Sequence, residues 1–218
     1  FPLKWINGAL ITQKPSDLKK TLALTFVKGL YWNFPADSSS VNQIQSGIQT
    51  NASSLDYGNS ITQITQLGID QMHTKGIRGD GILITLLDDG FRNVNTVPYL
   101  QNIVKEKRIL ATLTTDPTLN SVYTAGGHGT NVLSTIAGYE TGKLIGAAYQ
   151  ASFALAQTEE SRHELIVEEA NWLRGAEWAD SLGTDILSSS LGYSTFDNPV
   201  HNHAYRDMNG KTTLVTLA

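Results

Sequence analysis

Residues 81–91 read GILITLLDDGF, a short apolar run that ends in two carboxylates and a glycine. Its apolar residues are nearly continuous: Ile82, Leu83, Ile84, Leu86 and Leu87. Such a run is typical of a strand buried on both faces, as in a parallel sheet. Asp88 and Asp89 follow where the strand leaves the core, and ligands of open α/β sheets bind outside the carboxyl ends of the strands. The stretch therefore predicts a buried parallel strand with a functional carboxylate at its end.

The composition indicates a globular chain. Its 218 residues carry a formal net charge of −4, and 17% of them are charged. This length suits one large α/β domain, or one domain with a small appendage. The negative balance, without a basic stripe, argues against nucleic acid and anionic membranes as partners. The chain has no cysteine, which excludes disulfides and thiolate metal sites, and no apolar run approaches the ~20 residues that span a bilayer.

The first 34 residues read as part of a small α+β module. Residues 5–11 and 24–32 have the composition of strands, and Pro15-Ser16-Asp17 marks a helix start between them. Residues 35–60 differ, because they are rich in Ser, Asn and Gln and poor in large apolar side chains. That composition predicts a linker or exposed loop.

From residue 61 onward, helical and strand patterns alternate. The spacing predicts helices over 61–75, from near His128 to 139, over 164–182 and at 211–218, and it predicts further strands at 108–111, 153–155 and 185–191. His73 is expected to be solvated near the end of the first of these helices. The alternation predicts an α/β fold in which a parallel sheet with right-handed crossovers carries helices on both faces.

An Asp at a strand end and a His in a glycine-rich turn suggest an acid–base pair. Imidazole is the usual general base near neutral pH, and a buried carboxylate on its Nδ1–H fixes the tautomer. Gly126, Gly127 and Gly129 would let the backbone pack closely around His128. A single His in such a turn is also consistent with a structural role. Spacing and order alone do not decide between the two interpretations.

Four motifs, in order, resemble those of the subtilisin-like serine peptidases, the subtilases. LLDDGF (86–91) is similar to the segment around the family's catalytic Asp, and GGHGTNV (126–132) is similar to the HGT segment of its catalytic His. GAAYQASFALAQTE (146–159) resembles the connecting segment, and SSSLGY (188–193) resembles the segment that lines the substrate cleft. Asp before His is also the order in subtilisin. The resemblance implies a subtilisin-like α/β fold.

The resemblance also divides the chain into three parts. Residues 1–34 would be the C-terminal half of an inhibitory propeptide-like module, and residues 35–60 a linker that contains the maturation site. Residues 61–218 would be the N-terminal part of the catalytic domain. The expectation is therefore an incomplete subtilisin-like fold from a zymogen that is secreted or otherwise extracytoplasmic.

Site residues follow from the same motifs. Asp88 would orient the base and His128 would be the base. Ser190, Leu191 and Gly192 would bind the main chain of an extended polypeptide substrate by strand addition. The family's nucleophilic Ser lies in a GTSxAxP-like motif, which these 218 residues lack, as they lack the Asn-bearing strand that supplies the oxyanion donor. The expected function is that of a serine endopeptidase acting through an acyl-enzyme, with Ser and Asn supplied from elsewhere, such as a second chain.

Asp89 departs from the family pattern, which usually has Ser or Thr after the catalytic Asp. Side chains alternate along a strand, so only one of the two carboxylates can face His128. The motif assigns that place to Asp88. We expect Asp89 to point to a backbone N–H or a cation instead.

Other functions and sites remain open from sequence. A degenerate relative, or one chain of a nicked heterodimer, would act only as a binding or structural chain. A hydrolase of another α/β type is disfavoured because no GxSxG turn occurs. No cofactor is expected, although calcium is common in the family, because no acidic loop matches a binding pattern.

Two further clusters of polar residues have simple structural interpretations. His201 and His203 could be metal ligands, but a surface loop is the simpler interpretation. An acidic run is expected to form a solvated helix start, with attraction for basic residues of a substrate or propeptide as the alternative: Glu159, Glu160, Glu164, Glu168 and Glu169.

Overall fold

The computed structural model describes residues 2–3, 5, 8–9, 11, 14–25, 27–28 and 55–217. Its strands are β1 (Pro2–Leu3), β2 (Gly8–Ala9), β3 (Leu83–Asp88), β4 (Ile109–Thr114), β5 (Tyr139–Glu140), β6 (Leu144–Ile145), β7 (Ser152–Gln157) and β8 (Ile186–Ser189). Its α-helices are α1 (Leu18–Leu22), α2 (Ile61–Gln66), α3 (Ile69–Thr74), α4 (Gln101–Lys105), α5 (His128–Ala137), α6 (Val167–Ser181) and α7 (Leu214–Leu217). Short 3-10 turns occupy Pro15–Asp17, Pro98–Leu100, Val122–Thr124, Pro199–His201 and Tyr205–Asp207.

A four-stranded sheet in the order β4-β7-β3-β8 forms the centre of the domain. All three pairings are parallel, and β3 lies inside the sheet between β7 and β8. Leu83 pairs with Ser152 at one end of β3, and Asp88 pairs with Gln157 at the other. The predicted parallel sheet is therefore confirmed, with the quoted stretch as an interior strand.

Helices cover both faces of this sheet, as the sequence predicts. Leu86 packs in a cluster with Ile103 of α4 and Leu133 of α5, whereas Leu87 packs on the opposite face in a cluster that includes Trp178 of α6. Both leucines are fully buried, and burying such a side chain contributes about 1.5–3 kcal/mol. Alternation along the strand puts Asp88 on the same face as Leu86, the face that α5 covers.

The predicted helix over 61–75 is two helices. Gly68 ends α2 and precedes α3, and its φ of +67° lies in the left-handed region. Glycine adopts this conformation without the steric cost of a Cβ, which is why helices often end at one. The helical character of this segment is confirmed, but the spacing did not reveal the break at Gly68, and Ile61, Leu67 and Met72 are exposed rather than on a buried face.

The prediction that His73 is solvated is wrong. Its side chain lies in the core, where Nδ1 is 2.9 Å from the Tyr57 hydroxyl and Nε2 is 2.9 Å from the Ala147 carbonyl oxygen. The carbonyl can only accept, so Nε2 carries the proton and the Tyr57 hydroxyl donates to Nδ1 when the ring is neutral. His73 thus joins α3 to two segments distant in sequence.

Residues 55–60 correct the prediction of an exposed linker for that part of the 35–60 stretch. Tyr57 and Ser60 are buried, and Gly58 forms a bridge to Leu144. Positions 35–54 lie outside the described residues. The polar composition did not predict burial here, because the Ser60 hydroxyl is satisfied inside the protein, where it donates to the carbonyl oxygen of Ile145 and accepts from its backbone N–H.

The N-terminal segment contains a short antiparallel pair, β1 with β2, and the helix α1 after Pro15–Asp17. Of the strand predicted over 5–11, Gly8–Ala9 are in a strand and residues 5 and 11 are not, while the others lie outside the described residues. Of the strand predicted over 24–32, residues 24, 25, 27 and 28 are not in a strand, and the others lie outside the described residues. The propeptide-like character of this segment stays a prediction.

The described helices are short. The longest of them, α6, has 15 residues. Within the described ranges, none is long and apolar enough to cross a membrane.

Candidate active site

Asp88 is the last residue of β3, and only 1% of its surface is exposed. Its Oδ1 accepts a hydrogen bond from the backbone N–H of Asp89 at 2.9 Å and faces His128 Nδ1 at 2.7 Å. The strand holds this carboxylate at the carboxyl edge of the sheet, beneath the start of α5.

His128 is the first residue of α5, as predicted, and glycines allow the helix to approach the strand. A Cβ at Gly129 would lie 2.5 Å from the Gly90 carbonyl oxygen and 2.8 Å from Asp88 Cβ. A Cβ at Gly127 would meet nothing within 4 Å. Close packing therefore requires glycine at position 129 but not at position 127.

The Asp88–His128 pair has the geometry of an oriented general base. The carboxylate accepts, so His128 Nδ1 carries a proton, and Nε2 of the neutral ring is left with a lone pair. The imidazole is 52% exposed and the carboxylate side chain is 1% exposed. Across the part of the chain that the structure describes, Nε2 makes no hydrogen bond. The ring can therefore exchange a proton with a reacting group.

Both groups have raised pKa values, for different reasons. The hydrogen bond and charge of Asp88 raise the pKa of His128 above its ordinary value of 6.5, with a smaller contribution from Asp89. Burial raises the pKa of Asp88, although the hydrogen bond from His128 lowers it. The buried partner is governed by desolvation and the exposed partner by its neighbours' charge.

Asp89 turns away from the imidazole and toward the helix backbone. Its Oδ1 accepts from the backbone N–H of His128 at 3.1 Å and from that of Gly129 at 3.3 Å. The alternation argument is confirmed, because Asp88 holds the ring and Asp89 meets backbone N–H groups.

The three predicted substrate-binding residues follow β8, the edge strand next to β3. Leu87 pairs with Ser189, so Ser190 continues past the edge of the sheet as Asp88 does. Ser190 and Gly192 are exposed, Leu191 is half-buried, and none of the three is in a helix or strand. Within the described chain, no strand pairs with the outer side of β8. The stretch is therefore accessible beside the candidate base.

The predicted solvated start of α6 is wrong for Glu159, Glu168 and Glu169, which are all buried. Glu159 Oε1 accepts from the hydroxyls of Tyr193 at 2.6 Å and Thr158 at 2.9 Å. Burial raises the pKa of Glu159 to about 7 against the effect of these bonds. Exposure is confirmed only for Glu164, while Glu160 is half-buried.

Glu168 joins the segment before α6 to the helix through hydrogen bonds. Its two oxygens accept from the backbone N–H groups of Glu160 at 2.7 Å and Leu165 at 3.0 Å. Burial raises the pKa of Glu168 to about 8, although both bonds favour the charged form. The carboxylate serves as a local structural anchor.

Glu169 forms a second buried pair with histidine. One oxygen contacts His203 Nε2, and the other accepts from the backbone N–H of Leu214 at 3.0 Å. Phe196 packs edge-on against the His203 ring, with centroids 5.5 Å apart. Sequence reasoning missed this pair. The available signal was helical spacing, since Glu169 lies one turn before the inward-facing Leu173.

The structure does not assemble a metal site around His201 and His203. His203 is engaged by Glu169. Among the described residues, acidic and histidine ligand atoms converge in a group of three only at Asp88, Asp89 and His128. Oδ1 of Asp88 and Oδ1 of Asp89 already accept hydrogen bonds from His128.

Comparison with known proteins assigns a family to this chain. A comparison with curated proteins finds no match. The crystal structure of MycP1 from Mycobacterium smegmatis is similar with 16% identity and a TM-score of 0.42, covering 70% of this chain. This chain spans 42% of that protein's length. Residues 79–218, which contain β3, α5 and β8, match the model of the subtilase family of S8 peptidases. The chain therefore belongs to the subtilase family.

Proposed function

We propose that this chain supplies the general base and its orienting carboxylate to a serine endopeptidase. The single observation that carries the proposal is the bond of 2.7 Å between buried Asp88 and half-exposed His128, within the part that matches the family. A carboxylate that fixes the Nδ1–H tautomer leaves Nε2 to accept a proton. The substrate class that the family implies is polypeptide.

The proposed chemistry is peptide-bond hydrolysis through an acyl-enzyme. His128 Nε2 would take the proton of a serine hydroxyl as it attacks the scissile carbonyl, and would then give that proton to the leaving amine. Asp88 would stabilise the imidazolium formed between these steps. These residues contain no GTSxAxP-like motif, so the proposal places the nucleophile and the oxyanion donor on another segment or a second chain.

The substrate would bind in extended form along residues 190–192. Support comes from their position next to Asp88 at the carboxyl edge of the sheet and from the accessible outer side of β8. Strand addition reads the main chain and leaves sequence preference to side-chain pockets. We also propose that the protein works outside the cytoplasm and that its own propeptide is a partner, expectations that rest on the motifs and on family membership.

The test is labelling with a serine-directed fluorophosphonate. The protein is expressed from its complete reading frame, and wild type is compared with H128A and with H163A. His163 is a matched control because it also contacts a carboxylate, Asp197 at 3.0 Å, but in an exposed pair. Labelling of wild type and H163A, lost in H128A, supports the proposal.

Absence of labelling and of peptide hydrolysis in the wild-type protein would contradict the proposal. It would favour the alternative function, in which the fold acts only as a binding or structural chain. Labelling of the 218-residue chain by itself would contradict the placement of the nucleophile elsewhere.

A further inference from the structure

Asp89 occupies a site that is built around a carboxylate. Its Oδ1 accepts the first backbone N–H groups of α5, those of His128 and Gly129. Its Oδ2 lies against Gly126, where a Cβ would be only 1.9 Å away. The loop is further fixed by Arg92, whose backbone N–H donates to the Gly126 carbonyl at 2.9 Å. The carboxylate is therefore held in one orientation.

The two adjacent carboxylates bind different parts of His128. Asp88 bonds the imidazole of His128, and Asp89 bonds its backbone. The first N–H groups of a helix have no partner within the helix and carry partial positive charge, so an anion there is stabilising. Because His128 is the first residue of α5, an anchor on its N–H also sets where its Cβ points.

Within the described part of the chain, few charged groups lie near the His128 imidazole. Asp88 and Asp89 both act on His128 and favour its protonated form. Glu159, just beyond β7, is close enough to interact with Asp88. Arg92 is a cation on the neighbouring loop, and its Nε donates to the Ala125 carbonyl at 3.0 Å. Removing the charge of Asp89 should therefore change the titration of His128 in one direction.

We propose that Asp89 is a positioning residue for His128, one that fixes the first turn of α5 and places a second carboxylate beside the base. The changes in kcat and kcat/KM that this role predicts rest on the proposed function. The structural part of the proposal concerns only the geometry of the pair.

Three variants of the complete protein separate the hydrogen bond from the charge. D89N keeps an acceptor for the two N–H groups and removes the charge, D89A removes both, and E160Q is a control that neutralises a half-buried carboxylate in the neighbouring segment. For D89N we expect kcat within several-fold of wild type and an acid limb of kcat/KM displaced to lower pH. For D89A we expect the same displacement with kcat lowered about 10- to 100-fold, because misplacement of a catalytic group is costly. KM should change little.

Titration of the His128 imidazole by NMR provides a readout that needs no activity. Wild type should titrate at higher pH than D89N, and E160Q should match wild type. If the protein has no peptidase activity, the proposed function fails while this difference still tests the role of Asp89. If D89A does not fold, as judged by circular dichroism, D89N carries the test.

Two results would overturn the proposal. One is an unchanged His128 titration in D89N. The other is an effect on KM confined to substrates with Lys or Arg near the cleaved bond, which would make Asp89 a substrate contact instead.

Discussion

Two buried carboxylates in this protein each hold a histidine, and the two pairs differ mainly in what surrounds the imidazole. Asp88 and Glu169 are at most 1% exposed. Their partners are not alike, because the side chain of His128 is 52% exposed and that of His203 is 16% exposed. The same pairing of residue types thus occurs once at an accessible edge and once inside the fold.

The environment decides what each pair can do. His128 bonds Asp88 through Nδ1 and leaves Nε2 accessible, which is what proton transfer requires. His203 bonds through Nε2 and packs against Phe196, while Glu169 also holds the N–H of Leu214. The second pair therefore connects α6 to the segment after β8 and to the start of α7. A carboxylate–histidine pair is not by itself evidence of catalysis, and ring exposure is the discriminating feature.

The largest expected effect is the loss of activity when the Asp88–His128 pair is broken. H128A should lower kcat on the order of 10⁶-fold, as loss of the base does in subtilisin. D88N should lower kcat about 10⁴-fold, because an amide at position 88 no longer fixes the Nδ1–H tautomer of His128. Steady-state kinetics on a peptide substrate measures both. H163A should leave activity unchanged. A fall of less than tenfold in H128A would remove the distinction between the two pairs.

The second prediction concerns stability rather than chemistry. H203A leaves Glu169 buried without its partner, and breaking a buried pair in this way costs about 3–5 kcal/mol of unfolding free energy. Urea denaturation followed by fluorescence measures the change. H201A, a neighbouring substitution in the same loop, is the control and should change stability by less than about 1 kcal/mol. Equal effects of the two substitutions would contradict the role of the Glu169–His203 pair.

The third prediction is a pH dependence of stability from the buried acids beside these pairs. In the folded protein the pKa of Glu159 is raised to about 7 and that of Glu168 to about 8, from an ordinary value of 4.5. At pH values between the ordinary pKa of 4.5 and the raised pKa of each acid, the folded state binds more protons than the unfolded state. Stability should therefore fall as pH rises from about 4.5 to 8, by on the order of a few kcal/mol.

Urea unfolding at several pH values checks this dependence. E168Q should flatten the decline, because glutamine does not titrate. E164Q removes an exposed charge that is one of the smaller causes of the raised pKa values of both acids, so it should flatten the decline less than E168Q does. Stability that rises over this pH range would contradict the prediction.

The smallest predicted effect tests how closely α5 must approach β3. G129A places a methyl group against Gly90 and Asp88, and such overpacking costs about 1–3 kcal/mol. It should also lower activity by disturbing the Asp88–His128 bond. G127A, where a Cβ meets nothing within 4 Å, is the matched control. Thermal unfolding and kcat of the two variants should differ, and equal values would mean that the close approach is not required.

The sequence predicted the features that depend on local pattern. The apolar run before Asp88 gave a buried parallel strand, and the glycines around His128 indicated a helix start. Family motifs then brought two residues together that lie 40 positions apart, and the structure places them in contact. The alternation rule also separated the directions of Asp88 and Asp89.

The features that sequence reasoning missed depend on distant partners. Glu169 is buried because His203 and Leu214 satisfy it, 34 and 45 positions away. His73 is buried because Tyr57 and Ala147 satisfy it. Charge and polarity predict exposure unless a partner is known, and periodicity does not reveal such partners. The partners that satisfy these buried polar residues could therefore be found only from the tertiary structure.

The most direct test of the central claim measures two titrations in one protein, the wild type expressed from its complete reading frame. The His128 imidazole is followed by NMR, and kcat/KM is followed over the same pH range. If His128 is the base, kcat/KM should rise with its deprotonation, at a midpoint above 6.5 that matches the NMR value, since Asp88 raises the pKa of His128. Activity that stays constant while His128 titrates would contradict the claim that this histidine is the general base.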